Sequence, residues 1–113
     1  MYDSKKILIV EDDGFLLQMY ASKLKMEGFT IVEATDGEKA LRVAKKEKPD
    51  LMMLDLLLPK KTGFEVLAEI KQYPELANIP ILVLTNLWQK EDIERCFRLG
   101  AADYLIKAHF VPS

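Results

Sequence analysis

Ile7-Leu8-Ile9-Val10-Glu11-Asp12 is an apolar run that ends on two acids. Four consecutive, mostly β-branched apolar residues fit a strand buried on both faces, as in the middle of a parallel sheet. Leu51-Met52-Met53-Leu54 and Ile81-Leu82-Val83-Leu84 repeat the pattern, and they end on Asp55 and Thr85. Thr30-Ile31-Val32-Glu33-Ala34 is partly polar and suits an edge strand. Tyr104-Leu105-Ile106 makes a fifth, and Lys107 follows it.

Helical signals fill the gaps. Leu16, Tyr20 and Leu24 recur every four residues, and Gly28 stands where a C-terminal cap belongs. Asp36 is an N-cap for a helix whose apolar stripe is Ala40, Leu41 and Ala44. Thr62 and Glu65 have the spacing of a capping box, with Phe64, Leu67 and Ile70 behind them. Glu91 and Asp92 load a first turn with negative charge, Ile93, Cys96 and Phe97 form its stripe, and Gly100 closes it. This strict alternation predicts an α/β fold, a parallel sheet with helices on both faces.

The bulk composition narrows the class further. At 113 residues the chain has room for one core. Its net charge of −2, with both signs scattered, offers no basic footprint for direct nucleic-acid binding. No apolar run approaches the roughly 20 residues that cross a bilayer, so no membrane role is expected. Cys96 is the only cysteine; a small core residue in a cytoplasmic protein is the expectation.

Parallel α/β sheets carry their functional groups at the carboxyl ends of the strands. Here those ends hold Glu11 and Asp12, then Asp55, Thr85 and Lys107. Clustered carboxylates resist ionising together unless a cation offsets them. Mg²⁺ suits the task, since it accepts a few carboxylates, several waters and a phosphate oxygen. Thr85 supplies a hydroxyl for a phosphoryl oxygen, and Lys107 a compact positive charge. Asp55, at the end of the most central strand, is the candidate nucleophile toward phosphorus. Asp13 reads as a helix-start residue and His109 as solvent-facing. Trp88 fits either the core or a partner surface. Lys60-Lys61-Thr62-Gly63 has the Lys-Thr pair of a P-loop without the glycine-rich loop before it.

In residues and spacing this set resembles the bacterial response-regulator receiver domain (two-component signalling, CheY-like). The features are the acidic pair Glu11-Asp12, Asp55 through Pro59 to Gly63, Thr85, Gly100-Ala101-Ala102-Asp103-Tyr104, and Lys107. The resemblance runs from Lys5 to Lys107. It implies a flavodoxin-like, doubly wound five-stranded sheet in the order 2-1-3-4-5. It also implies phosphorylation on Asp55, and Mg²⁺ held by Glu11, Asp12, Asp55 and the Leu57 backbone carbonyl. Thr85 and Tyr104 become the residues that rearrange on phosphorylation.

The partners implied are a sensor histidine kinase or phosphotransfer protein, and a downstream output domain or protein. The chain is expected to promote its own phosphotransfer without being a turnover enzyme. The alternative is a pseudo-receiver acting as a phosphorylation-independent interaction module. A dehalogenase-like hydrolase would need an Asp where Leu57 stands, and a flavodoxin would need a phosphate loop after the first strand.

Three departures from the family pattern stand out. Ala108 follows Lys107 where a proline is usual, and Asn86 follows Thr85 where Ala or Gly is usual. The chain stops at His109-Phe110-Val111-Pro112-Ser113, so residues 1–113 read as a single receiver domain truncated before or at its fifth helix. Self-association through the face so opened is a further expectation. The resemblance makes Leu57 and Leu87 the two variable positions that flank the site; both are apolar and cannot orient water, which predicts slow self-dephosphorylation.

Overall fold

Each apolar run becomes a strand of one parallel sheet. The computed structural model describes residues 4–107. In chain order the elements are β1 (Lys6–Val10), α1 (Gly14–Met26), β2 (Thr30–Ala34), α2 (Gly37–Glu47), β3 (Leu51–Leu54), α3 (Gly63–Ile70), β4 (Ile81–Thr85), α4 (Lys90–Arg98) and β5 (Asp103–Ile106). The strands lie in the order β2-β1-β3-β4-β5 and every neighbouring pair is parallel. This is the expected flavodoxin-like arrangement, with four helices among the described residues. Residues 108–113, where the expectations for Ala108, His109 and a missing fifth helix fall, lie outside the described residues.

Alternation along the strands divides the core in two. Leu8, Val10, Met52, Leu54, Ile81 and Val83 pack with residues of α2, α3 and α4. Ile7 and Ile9 face the other way, against Leu17 and Ala21 of α1, with Leu51 and Met53 at the margin. Strands sandwiched between helices must be apolar on both sides, which is why these runs do not alternate with polar residues.

The helix ends follow the capping chemistry of the sequence. Asp13 and Asp36 each accept a backbone N–H three residues on, from Leu16 and Lys39. Thr62 and Glu65 form a complete capping box. Gly28 and Gly100 take left-handed φ values of 96° and 105° just past α1 and α4.

Two stripes fall elsewhere than expected. On α1 the buried residues are Leu17 and Ala21, with Leu16, Tyr20 and Leu24 only half-buried. Apolar residues sit side by side at 16–17 and 20–21, so spacing alone cannot choose between two stripes one residue apart. On α4, Cys96 is fully buried but Phe97 is exposed. Adjacent helical residues point about 100° apart, and the smaller side chain takes the inward position. Trp88 is 67% exposed, which removes it from the core.

The start of α2 also braces the loop after β3. The Gly37 N–H donates to the Pro59 carbonyl at 3.3 Å, and a Cβ at Gly37 would lie 2.2 Å from the Lys61 carbonyl oxygen. Gly14, at the start of α1, has nothing within 4 Å of such a Cβ. Gly37→Ala should therefore cost about 1–3 kcal/mol through forced backbone movement. Gly14→Ala should be neutral or stabilising by up to about 1 kcal/mol. Urea unfolding of the two variants measures the contrast.

Candidate functional site

The sheet register sets the site. Val10 pairs with Leu54, so the next residues, Glu11 and Asp55, emerge side by side from adjacent strands. Thr85 pairs with Ile106, which delivers Lys107 beside the same edge. Hydrogen bonds hold the two acidic backbones past the strand ends, from Asp55 N to Val10 O and from Glu11 N to Ala34 O, each 3.1 Å.

Glycine at 63 permits the turn that follows. Its N–H donates to the Leu56 carbonyl at 2.9 Å, and a Cβ there would lie 2.3 Å from the Asp55 carbonyl oxygen. The start of α3 thus presses directly on the backbone of Asp55. The Leu57 N–H in turn donates to Asp55 Oδ1 at 3.3 Å and orients the carboxylate.

Lys107 is 5% exposed and ties the acids together. Its Nζ donates to Asp55 Oδ2 at 2.7 Å and forms a second ion pair with Glu11. Glu11, 2% exposed, also accepts the Asp13 N–H at 3.1 Å. Asp12 is exposed and completes a set of three carboxylates, one oxygen from each lying within 4.8 Å of the other two. One ammonium against three carboxylates leaves two negative charges without a local counter-ion. Hard oxygen donors, an excess charge of two and an open side at Asp12 fit a Mg²⁺ ion that keeps several waters.

Electrostatics agree with that geometry. Burial raises the Glu11 carboxyl above its ordinary value, although the hydrogen bonds from Lys107 and the Asp13 N–H oppose the rise. For Lys107, burial pulls downward, but hydrogen bonds to Asp55 and Glu11 outweigh it and the ammonium is held above its usual range. Lysine therefore stays charged and the acids stay crowded.

Two buried hydroxyls at this end of the sheet lack a hydrogen-bond partner among the described residues, Thr85 Oγ1 and Tyr20 OH. An orphaned buried hydroxyl costs roughly 1–3 kcal/mol. Thr85 was legible as a strand-end hydroxyl. Tyr20 was not, because at helical spacing it reads as an ordinary core aromatic. Tyr104 is half-buried, and its hydroxyl donates to the Leu87 carbonyl at 2.7 Å. Burial pushes that phenol up to about 12, so it remains a donor at any physiological pH. Asn86, next to Thr85 in the chain, is exposed, and Leu57, two residues past Asp55, is 55% exposed.

The raised Glu11 value has a consequence for stability. Its carboxyl titrates above the ordinary 4.5 when folded, so the folded state holds the extra proton in that window. Stability therefore falls as pH rises through it. Glu11→Gln removes the loss. Without metal, the variant's urea midpoint should fall less steeply than the parent chain's as pH rises above 4.5.

Known proteins resemble this chain in sequence and fold. Residues 7–110 match the response regulator receiver domain family. The chain is 41% identical over 102 residues to the DNA-binding dual master transcriptional regulator RpaA of Synechocystis, covering 90% of this chain and 42% of that protein. It thus spans about two-fifths of that relative's length. Among solved structures, the phosphorylated cyanobacterial phytochrome response regulator RcpA superposes with a TM-score of 0.87 at 36% identity, covering 93% of this chain and 81% of that one. The Mn²⁺-bound response regulator Rcp1 gives 0.84 at 38% identity, with 91% and 81% covered. Matched by the family model over residues 7–110 and folded with the strand order 2-1-3-4-5, the chain belongs to the response regulator receiver domain family.

Proposed function

We propose that the chain is a phosphorylation-controlled signalling switch that takes a phosphoryl group onto Asp55 from a histidine kinase or phosphotransfer protein. One observation carries this reading: a buried aspartate held by a buried lysine, beside two acids that leave a double negative charge to be offset. The Mn²⁺-bound form of Rcp1 and the phosphorylated form of RcpA support it by likeness.

Glu11, Asp12, Asp55 and the Leu57 carbonyl would hold Mg²⁺, which supplies charge neutralisation for an incoming phosphoryl group. The chain's own residues do the rest. Asp55, fixed by the Leu57 N–H and Lys107, presents an oxygen to the phosphorus of the donor. A P–O bond forms to Asp55 while the P–N bond of a phosphohistidine breaks, its electron pair returning to the imidazole. Lys107 exchanges its contact with the Asp55 carboxylate for one with a phosphoryl oxygen, and the unpartnered Thr85 hydroxyl gains an acceptor. Phosphoryl transfer asks for positioning and charge stabilisation, and these groups provide both.

Tyr104 links the site to a surface. Its bond to the Leu87 carbonyl joins β5 to the loop that begins after Thr85. A shift of Thr85 toward the phosphoryl group would be transmitted to α4 and β5, the face offered to a downstream partner. The intact set of Glu11, Asp12, Asp55, Thr85 and Lys107 weighs against a disabled, purely interacting module.

Incubation with Mg²⁺ and acetyl phosphate, read by intact mass, tests the reading. One phosphoryl group should be gained, and Asp55→Asn or a chelator should abolish the gain. An unphosphorylated parent chain that still binds Mg²⁺ would instead favour the interaction module.

A further inference from the structure

Beneath Glu11 and Asp55 lies a small cavity lined by Ile9, Val10, Glu11, Tyr20, Met53, Leu54, Asp55 and Leu84. The space open to the centre of a water-sized sphere is about 10 Å³. That matches one water, for which roughly 10–15 Å³ is needed. Most of the lining is aliphatic; the polar side chains are the two carboxylates and the Tyr20 phenol.

Tyr20 OH is buried without a hydrogen-bond partner among the described residues. Its phenol is nevertheless close enough to Lys107, Glu11, Asp55 and Asp13 to feel their charges. A buried hydroxyl without a partner, on a cavity shared with two carboxylates and large enough for one water, can reach them through that water. A water there would accept from Tyr20 and donate its two hydrogens to the Glu11 and Asp55 carboxylates. Three polar partners are what a buried water typically makes.

We infer that Tyr20 is a positioning residue, which through one buried water fixes the Glu11 and Asp55 carboxylates in the geometry that receives a divalent cation. The inference rests on the proposed Mg²⁺ reading and extends it to a residue of α1 outside the strand-end set. Such an outer contact lowers the repulsion between the two acids before the cation arrives and keeps their oxygens turned to the metal side. An aliphatic or phenyl side chain at position 20 would leave the water without this donor.

Tyr20→Phe keeps the ring and removes the hydroxyl. Mg²⁺ affinity of the 113-residue chain, measured by titration calorimetry, should fall about tenfold, the lower end of the effect of losing an outer-shell partner. A high-resolution crystal structure of the parent chain should show one ordered water between Tyr20 OH and the two carboxylates, and Tyr20→Phe should lose or displace it. Unchanged Mg²⁺ affinity in a folded Tyr20→Phe overturns the inference, and so does a dry cavity in the parent structure. If Tyr20→Phe does not fold, the parent structure decides alone. Failure of the parent chain to bind Mg²⁺ at all would instead strike the metal reading beneath, and this inference with it.

Discussion

A lysine ammonium buried between two carboxylates is the contact on which the rest of this molecule turns. Lys107 comes from the end of β5, Asp55 from β3 and Glu11 from β1, with β4 lying between the lysine and its partners. Burying any one of these charges alone would be prohibitive, and burying two acids with one base still leaves an imbalance. The fold tolerates it because the groups lie at the open carboxyl edge of the sheet, with Asp12 and the solvent alongside. The same imbalance that costs stability suits the site to a cation.

Backbone contacts hold Asp55 where the charges need it. Asp55 is bonded to Val10 on one side and pressed by Gly63 on the other. Its following loop is braced by Gly37 and Asp36 at the start of α2, with Lys60 Nζ 3.9 Å from Asp36 Oδ2. Two glycines that lie far apart in sequence thus act on one loop. Each is required because a backbone atom occupies the place where a Cβ would go.

Helix α4 is held differently from the others. Only Cys96 is fully buried, and Arg95 stacks on the Phe64 ring of α3 with its guanidinium carbon 4.1 Å from the centroid. Such a contact contributes about 0.5–1 kcal/mol when exposed, far less than a buried aliphatic stripe. This helix follows a loop tied to β5 by the Tyr104 hydroxyl.

The strands, most helix caps and the five strand-end residues Glu11, Asp12, Asp55, Thr85 and Lys107 were legible from sequence, because each depends on local chemistry. Apolar runs have nowhere to go but a two-sided core, and Asp or Thr caps a helix within three residues. Facts that depend on which surfaces meet were not legible. The buried stripe of α1, the outward turn of Phe97, the exposure of Trp88 and the orphaned hydroxyl of Tyr20 all required the packed molecule. So did the double grip of Lys107, since spacing brings a lysine to the edge without saying which carboxylates it will hold. By itself the sequence determined the order of elements and the kinds of groups at the strand ends, because periodicity and capping are short-range. Tertiary structure decided which groups touch, because burial and ion pairing arise only when distant segments close on one another.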